Sequence, residues 1–79
     1  MVDLKEILTD IACAIVDHPD DVTVTEEENN GDVTLTLGVH ADDMGMVIGR
    51  HGRIAKAIRT VIKAASAECG KRVNVEIRD

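Results

Sequence analysis

The spacing of apolar residues predicts the first helix of the chain. Five aliphatic residues recur at intervals of one, three or four positions: Leu4, Ile7, Leu8, Ile11 and Ile15. This spacing places them on one face of an α-helix and leaves polar residues on the other face. We therefore predict an amphipathic helix from Asp3 to Asp17, which Pro19 ends because proline cannot continue a helix.

A β-hairpin is predicted next, because apolar and polar residues alternate in two segments, Val22–Thr25 and Val33–Val39. Both segments are rich in β-branched residues, and the residues between them include Asn and Gly, which favour tight turns. The alternation predicts a buried side for the second strand, formed by Val33, Leu35, Leu37 and Val39. The acidic segment Glu26–Asp32 is predicted to be a solvated loop.

A short helix and a break are predicted in the middle of the chain. Asp42 is a suitable N-cap for a helix that continues through Ile48, and Asp43 would lie in its first turn, where a negative charge is favourable. The segment Gly49–Gly52 interrupts the helical pattern with two glycines.

The last part of the chain is predicted to contain a long helix and a third strand. The helix runs from Arg53 to Cys69, and Gly70 is its expected C-cap. Alternation returns in Arg72–Arg78. The order αββααβ predicts an α+β fold, in which a three-stranded mixed sheet carries three helices on one face and residues 1–79 form a single domain.

Length and composition restrict the class of protein. A chain of 79 residues supports one small core. It contains no Phe, Trp or Tyr, so the aromatic platforms on which many single-strand binders stack bases are missing. No segment has the roughly 18 consecutive apolar residues that a membrane span needs, and the start of the chain does not resemble a signal peptide. We therefore expect a cytoplasmic protein without a membrane partner.

Charge is unevenly distributed along the chain. The formal net charge is −6, but residues 1–44 contain twelve acidic residues and one lysine, whereas residues 45–79 contain eight Lys or Arg and three acidic residues. Such asymmetry indicates a localised anion-binding region in a protein that is acidic as a whole.

The GRHG segment at positions 49–52 is the candidate for that region. Gly49 and Gly52 can adopt positive φ and permit close approach of a sugar-phosphate backbone. The helix that follows directs its free N–H groups and positive dipole end to the same place, and Arg50 and His51 add donors. On a helical wheel one flank of this helix is cationic, and it contains Arg53, Lys56, Arg59 and Lys63.

Each of these features also has a simpler interpretation. Two glycines at this spacing are typical of a turn between helices, and a basic helix face is usually solvated. Their combination favours the anion site, because the glycines lie between two predicted helices in the basic half of the chain.

Catalysis, metal binding and cofactor binding find little support in the sequence. The three histidines, His18, His40 and His51, fall in a turn, at a strand end and in a loop, without the spacing of a metal pair. No P-loop or dinucleotide fingerprint is present, so no small-molecule substrate is indicated. Cys13 and Cys69 belong to no CxxC motif and are interpreted as idle thiols.

Residues Val47-Ile48-Gly49-Arg50-His51-Gly52 resemble the signature of KH domains, which bind about four single-stranded nucleotides at a GxxG loop. The order αββααβ resembles the type II, bacterial form. The length of the chain and the runs DMGMVIGRHGRIAKAIRTVIKAA and GKRVNVEIRD are similar to the small stand-alone bacterial KH proteins of the KhpA family. The resemblance covers essentially the whole chain.

The resemblance implies a non-catalytic, single-stranded RNA-binding protein that acts as a post-transcriptional regulator or RNA chaperone. RNA would lie in a groove between the loop with its flanking helices and the strand and variable loop opposite. The implied RNA-binding residues are Val47, Ile48, Gly49, Arg50, His51, Gly52, Arg53, Ile54 and Lys56. The apolar residues Val47, Ile48 and Ile54 would lie near the floor of the groove.

Two features depart from the KH pattern. A larger aliphatic residue is usual three positions after the second glycine, where this chain has Ala55. The segment Glu26–Asp32, which corresponds to the variable loop, is acidic and would repel phosphate if it bordered the groove. We expect modest affinity and little sequence selectivity.

A second apolar stripe on the long helix is a candidate dimer face, formed by Ile54, Ala57, Val61 and Ala64. One interpretation is that the first helix packs there. The other, implied by the resemblance, is a homodimer or a heterodimer with a second KH protein of the Jag/KhpB type. A protein-interaction module with weak or vestigial RNA binding is therefore the alternative function.

Overall fold

The computed structural model describes residues 3–67 and 70–79, which form three α-helices and three β-strands. The helices are α1 (Leu4–Ile15), α2 (Met44–Ile48) and α3 (Arg53–Ser66), and the strands are β1 (Thr23–Asn29), β2 (Asp32–Gly38) and β3 (Arg72–Arg78). Short 3₁₀ turns lie at Pro19–Asp21, Ala41–Asp43 and Arg50–Gly52. The predicted order αββααβ is confirmed.

Helix α1 begins one residue later than predicted and ends two residues earlier. The Asp3 side chain caps its start by accepting a hydrogen bond of 3.2 Å from the backbone N–H of Glu6. The helix stops at Ile15 because Val16 adopts an extended conformation, and the turn that begins at Pro19 follows. Leu4, Leu8 and Ala12 are buried along one face of the helix.

The hairpin corrects the prediction of an acidic loop at Glu26–Asp32. Strand β1 continues through the three glutamates to Asn29, which lies opposite Asp32 in the antiparallel ladder. The connection consists of Asn30 and Gly31 alone, with φ of 51° and 85°. Positive φ at both central residues is typical of the tight turn that matches the twist of a hairpin. The Asn-Gly pair therefore sets the turn, and the glutamates belong to an edge strand.

The start of α2 corrects a second prediction. A 3₁₀ turn precedes the helix, and neither Asp42 nor Asp43 caps it: Asp43 occupies the N-cap position without a capping hydrogen bond from its side chain. Instead, the Asp43 side chain is buried and accepts hydrogen bonds from His18, which follows α1. Its role is a tertiary contact, which local sequence did not indicate.

Helix α3 is described as far as Ser66, and the predicted extension to Cys69 falls partly on residues 68 and 69, which lie outside the described residues. Gly70 has φ of 67°, the left-handed conformation expected of a residue that ends a helix. Strand β3 follows with the predicted bounds, Arg72–Arg78.

The three strands form one mixed sheet in the order β1-β2-β3. Strands β1 and β2 are antiparallel, whereas β2 and β3 are parallel. Parallel neighbours need a long crossover connection, and the segment containing α2 and α3 provides it. Both helices pack against β3, and α1 packs against β1 and β2. All three helices therefore cover one face of the sheet.

The core lies between this sheet face and the helices, and it is built without aromatic residues. The predicted buried side of β2 is confirmed, since Val33, Leu35, Leu37 and Val39 are all buried. Leu8 of α1 and Ile62 of α3 are completely buried in the same cluster. Aliphatic side chains from two layers thus supply the apolar burial that holds the fold. Within the described ranges, no helix is both long and apolar enough to cross a membrane.

Candidate nucleic-acid interface

The loop between α2 and α3 has an unusual backbone. The N–H of Gly49 donates to the carbonyl of Gly45 and ends α2, and the N–H of Gly52 donates to the carbonyl of Gly49 at 3.2 Å. Gly49, His51 and Gly52 all have positive φ, of 75°, 59° and 74°. For His51 this conformation is uncommon but tolerated, since His is enriched among non-glycine residues with positive φ. The chain therefore reverses within four residues and enters α3 at Arg53.

The two glycines of the loop serve different physical needs. Gly49 has φ of 75° and ψ of 175°, a region that is essentially restricted to glycine. A Cβ at Gly49 would also collide with the side chain of Ile54, and it would lie 2.9 Å from the Ile54 backbone nitrogen. At Gly52 a Cβ would meet nothing within 4 Å. Gly49 is thus needed for internal packing, whereas Gly52 leaves open space in front of the loop.

The predicted cations of the loop and of the first turns of α3 lie at the surface. Arg50, His51, Arg53 and Lys56 are all exposed. Among the residues that the structure describes, no carboxylate lies within salt-bridge distance of any of these four side chains. The N-cap of α3 is Gly52, which has no side chain to bond the free N–H groups of the first turn. Helix dipole, free donors and cations therefore face the same solvent region.

The cations at the start of β3 are used differently. Lys71 forms a salt bridge of 2.7 Å with Glu28, and the Arg72 guanidinium lies 3.6 Å from the Asp32 carboxylate. The acidic residues of the hairpin are thereby partly neutralised inside the domain. Strand β2 also lies between β1 and β3, so β1 and β3 are roughly 10 Å apart at ordinary strand spacing. This distance is about one electrostatic screening length at physiological salt.

Of the apolar residues predicted to contact RNA, some lie at the surface and one lies in the core. Ile48 is half-buried, and Ile54 is 38% exposed beside the loop. The prediction that Val47 lies at the floor of the groove is wrong, because its side chain is 0% exposed and belongs to the core. Val47 therefore supports the loop from inside and does not offer a surface to bases. Ala55, where a larger aliphatic residue was expected, is buried.

The candidate dimer face lies at the surface. Ile54, Ala57, Val61 and Ala64 are all exposed, and Val61 is 48% exposed. Helix α1 packs against α3 but leaves these four side chains uncovered, so the interpretation that α1 covers the stripe is wrong. An exposed apolar stripe on a small domain is typical of an interaction surface.

Sequence reasoning missed a cluster at the other end of α2. The backbone N–H of His18 donates to Asp43 Oδ2 at 2.9 Å, and His18 Nδ1 lies 3.0 Å from the same oxygen. The imidazole of His18 stacks on that of His40, with 4.2 Å between ring centroids. His40 Nδ1 in turn accepts a hydrogen bond from the N–H of Asp42. The only sequence signal was the presence of two His and two Asp without motif spacing, because His18 lies 25 positions from Asp43.

Electrostatics in this cluster follow from burial and hydrogen bonding. Burial acts to raise the pKa of the Asp43 carboxyl, but the hydrogen bonds from the ring and backbone of His18 outweigh it and lower that pKa. The hydrogen bond to Asp43 raises the pKa of His18 above its usual value of 6.5, against a smaller opposing effect of desolvation. An ionised carboxylate only accepts, so Nδ1 of His18 carries the proton. Within residues 3–67 and 70–79, no group of three or more His, Cys, Asp or Glu is arranged to hold a metal.

Comparison with known proteins identifies the family. The KhpA/KhpB KH-domain model matches residues 5–77. The RNA-binding protein KhpA of Clostridium acetobutylicum is 54% identical over 74 residues, which cover 94% of this chain and 99% of that protein. RNA-binding protein KhpA of Halalkalibacterium halodurans is 47% identical over 76 residues, which cover 96% of this chain and 100% of that protein.

Solved structures show a similar fold at lower sequence identity. The structure of Era in complex with MgGDPNP and nucleotides 1506–1542 of 16S ribosomal RNA matches with a TM-score of 0.62 and 18% identity. The match covers 95% of this chain but only 29% of the Era chain, so it concerns one domain of a longer protein and supports the fold alone. The family model and the relatives that match nearly the whole chain show the family, and the fold agrees with them. The chain therefore belongs to the KhpA/KhpB family of KH domains.

Proposed function

We propose that this domain binds single-stranded RNA, without catalysis, at the loop Gly49–Gly52 and the adjoining surface of α3. The observation that carries the proposal is the set of exposed cations, free of carboxylate partners in the described chain, at the uncapped start of α3. Phosphate binding at such a site needs no other chemistry. Relatives that match nearly the whole chain are named RNA-binding proteins, which supports RNA as the anion. The proposed compartment is the cytoplasm, where transcripts are available.

Each part of the site has a distinct proposed role. The unbonded N–H groups at the start of α3 and the side chains of Arg50 and His51 contact phosphates, and Arg53 and Lys56 extend the basic rim. Ile48 and Ile54 provide the apolar surface on which bases lie. About four nucleotides fit such a site in KH domains, so modest affinity is expected. A role as post-transcriptional regulator or RNA chaperone follows if the bound RNA is a transcript.

RNA binding is tested by fluorescence anisotropy with a labelled single-stranded RNA octamer across a salt series. If two to four phosphates are contacted, the log–log slope of affinity against salt is about −1.4 to −2.8, at about −0.7 per phosphate. Replacing Arg50→Asp and His51→Asp together should abolish binding. Folding should be unaffected, because both side chains are exposed and Asp tolerates the positive φ at position 51.

The matched control compares two exposed arginines. Arg50→Asp and Arg72→Asp change the net charge equally, but Arg72 is 89% exposed at the start of β3 and lies beside Asp32. We expect Arg50→Asp to weaken binding at least tenfold and Arg72→Asp to change it little. Equal losses would mean that net charge governs affinity, and an intact affinity of the Arg50/His51 double variant would refute the loop as the binding site.

We also propose that the exposed face of α3 formed by Ile54, Ala57, Val61 and Ala64 mediates dimerisation, with a second copy or with a KH protein of the Jag/KhpB type. Its exposure in the folded domain supports this second function. Two linked sites would also bind one transcript more tightly than either alone.

Self-association is tested by sedimentation velocity on the parent and on Val61→Glu. The variant should fold, since Val61 is 48% exposed, and should sediment as a monomer at concentrations where the parent is a dimer. Lys63→Glu is the control, because Lys63 lies on the cationic flank of α3, away from the stripe. If parent and Val61→Glu sediment alike, the stripe is not the interface.

A further inference from the structure

The turn that leads into α2 carries a contact between two imidazole rings. His18 follows α1 and His40 follows β2, so the two residues belong to connections that are distant in sequence. Their rings lie nearly parallel, with an angle of 17° between the planes and 4.2 Å between the centroids. Both side chains are open to solvent, with 44% of His18 and 37% of His40 exposed. Protons can therefore reach either ring without any movement of the core.

The hydrogen bonds fix a different protonation state at Nδ1 of each ring. Nδ1 of His18 lies 3.0 Å from the Asp43 carboxylate and carries a proton. Nδ1 of His40 accepts a hydrogen bond of 3.0 Å from the backbone N–H of Asp42, which makes His40 the N-cap of the 3₁₀ turn Ala41–Asp43. An N–H group can bond only to a free lone pair, so Nδ1 of His40 carries no proton in this arrangement. The contact of His18 thus tolerates a cationic ring, whereas the contact of His40 requires a neutral one.

A proton on Nδ1 of His40 removes both contacts of this ring. It occupies the lone pair that caps the turn, so the Asp42 N–H loses its acceptor. The new N–H can be donated to the Asp42 carboxylate, whose Oδ2 lies 3.7 Å away, once the ring has turned. The ring also becomes a second cation at 4.2 Å from His18, whose cationic form the Asp43 carboxylate stabilises, and like charges at this distance repel. Protonation of His40 therefore opposes the stack and the cap together.

The charged groups near the two rings come from several segments of the chain. They are Asp21 in the turn after His18, Asp42 and Asp43 at the start of α2, and Arg78 and Asp79 at the end of β3 beside Val39. Their positions distinguish the two rings. The Asp43 carboxylate bonds to His18, whereas no carboxylate of the described chain lies within hydrogen-bond distance of the His40 ring. Only the proton on His18 is therefore held in place by the fold.

We propose that His40 is an acid-sensitive N-cap: a proton on its Nδ1 opens the stack with His18 and frees the turn Ala41–Asp43 that leads into α2. Asp43 keeps its bond to His18, so the change concerns the His40 ring and this turn while the domain stays folded. His40 lies at the start of α2, whereas the loop Gly49–Gly52 lies at its end. The inference is therefore independent of the proposed RNA function.

Proton NMR of the whole chain between about pH 5 and 8, where histidines change charge, tests the proposal. Nuclear Overhauser effects between the rings of His18 and His40 should be present while His40 is neutral and should disappear as its ring resonances shift on protonation. Over the same pH interval the Asp42 amide should lose about tenfold in protection from hydrogen exchange, the usual size of an N-cap contribution. Ring contacts that persist in the doubly protonated pair, or an Asp42 amide that ignores the titration of His40, would overturn the proposal.

Two substitutions of the same kind provide the matched control. His40→Asn keeps a side chain that caps helices and removes the titrating ring, so protection of the Asp42 amide should no longer depend on pH. His51→Asn removes the histidine at the other end of α2, where Asn tolerates the positive φ, and should leave the pH response of Asp42 unchanged. A pH response that survives in folded His40→Asn would assign it to His18 and refute the role of His40. If His40→Asn does not fold, the ring contacts of the parent across the titration decide.

Discussion

The two ends of helix α2 carry similar residue types and use them in opposite ways. At its start, Asp43 is 1% exposed and holds His18, which stacks on His40. At its end, Arg50 and His51 are exposed and have no carboxylate partner among the described residues. The first set of polar groups is satisfied inside the domain, whereas the second set faces solvent.

This difference makes the proposed phosphate site compatible with a net charge of −6. Asp43, Glu28 and Asp32 contact His18, Lys71 and Arg72, respectively. Among the described residues, no carboxylate lies within salt-bridge distance of the loop cations. Local potential depends on the nearest unneutralised charges, because more distant ones are screened. The comparison predicts that changing the polar side chains at the start of α2 affects stability, whereas changing the exposed side chains at its end mainly affects binding.

The largest effect on stability is expected at Gly49, whose backbone ends α2. Gly49→Ala forces a side chain into a glycine-only conformation and against Ile54. Backbone strain of about 1–3 kcal/mol and overpacking of about 1–3 kcal/mol predict a loss of roughly 2–5 kcal/mol in the free energy of unfolding. Urea titration followed by far-UV circular dichroism measures it, since the chain has no aromatic fluorophore. A loss below about 1 kcal/mol would contradict the packing described for Gly49.

A smaller, pH-dependent effect is expected at Asp43. The raised pKa of His18 stabilises the fold fully below pH 6.5, and this contribution disappears as the pH rises through the folded-state pKa. The lowered pKa of Asp43 stabilises the fold above pH 3.8, and this contribution disappears as the pH falls. Asp43→Asn should therefore lower the melting temperature most between pH 3.8 and 6.5 and less at pH 8.

Asp42→Asn provides the control for this series, because Asp42 lies one position away and is exposed. Its melting temperature should follow that of the parent much more closely across the pH range. RNA affinity of Asp43→Asn, measured where the variant is folded, should remain near the parent value. A pH-independent loss of stability in Asp43→Asn would mean that the charge on His18 contributes nothing to the contact.

The smallest effect on stability is expected at Gly52, and it separates two uses of this glycine. Gly52→Ala should cost about 1 kcal/mol, because φ of 74° is unfavourable for a residue with a Cβ. Gly52→Asn should cost less, since Asn tolerates this conformation. If the open space in front of Gly52 admits the RNA backbone, Asn should nevertheless weaken RNA binding more than Ala. Equal affinity of the two variants would show that Gly52 serves only the turn.

The sequence alone determined the element order and much of the core. The period of apolar residues predicted α1 and β2, and Asn30-Gly31 and Gly49–Gly52 marked the reversals, because positive φ has a strong local preference for these residues. The sequence also predicted that cations gather at the loop, since the two glycines and the Arg and Lys residues are close together in the chain.

Tertiary structure decided which charged groups are neutralised and which side chains are covered. The bond of Asp43 to His18, the bridge of Lys71 to Glu28 and the contact of Arg59 with Val75 join residues that are 25, 43 and 16 positions apart. Nothing in local spacing distinguishes Val47 in the core from Ile54 at the surface, because both are aliphatic residues beside the same loop. Such pairings depend on how the helices cross the sheet, and this packing arises from the whole chain.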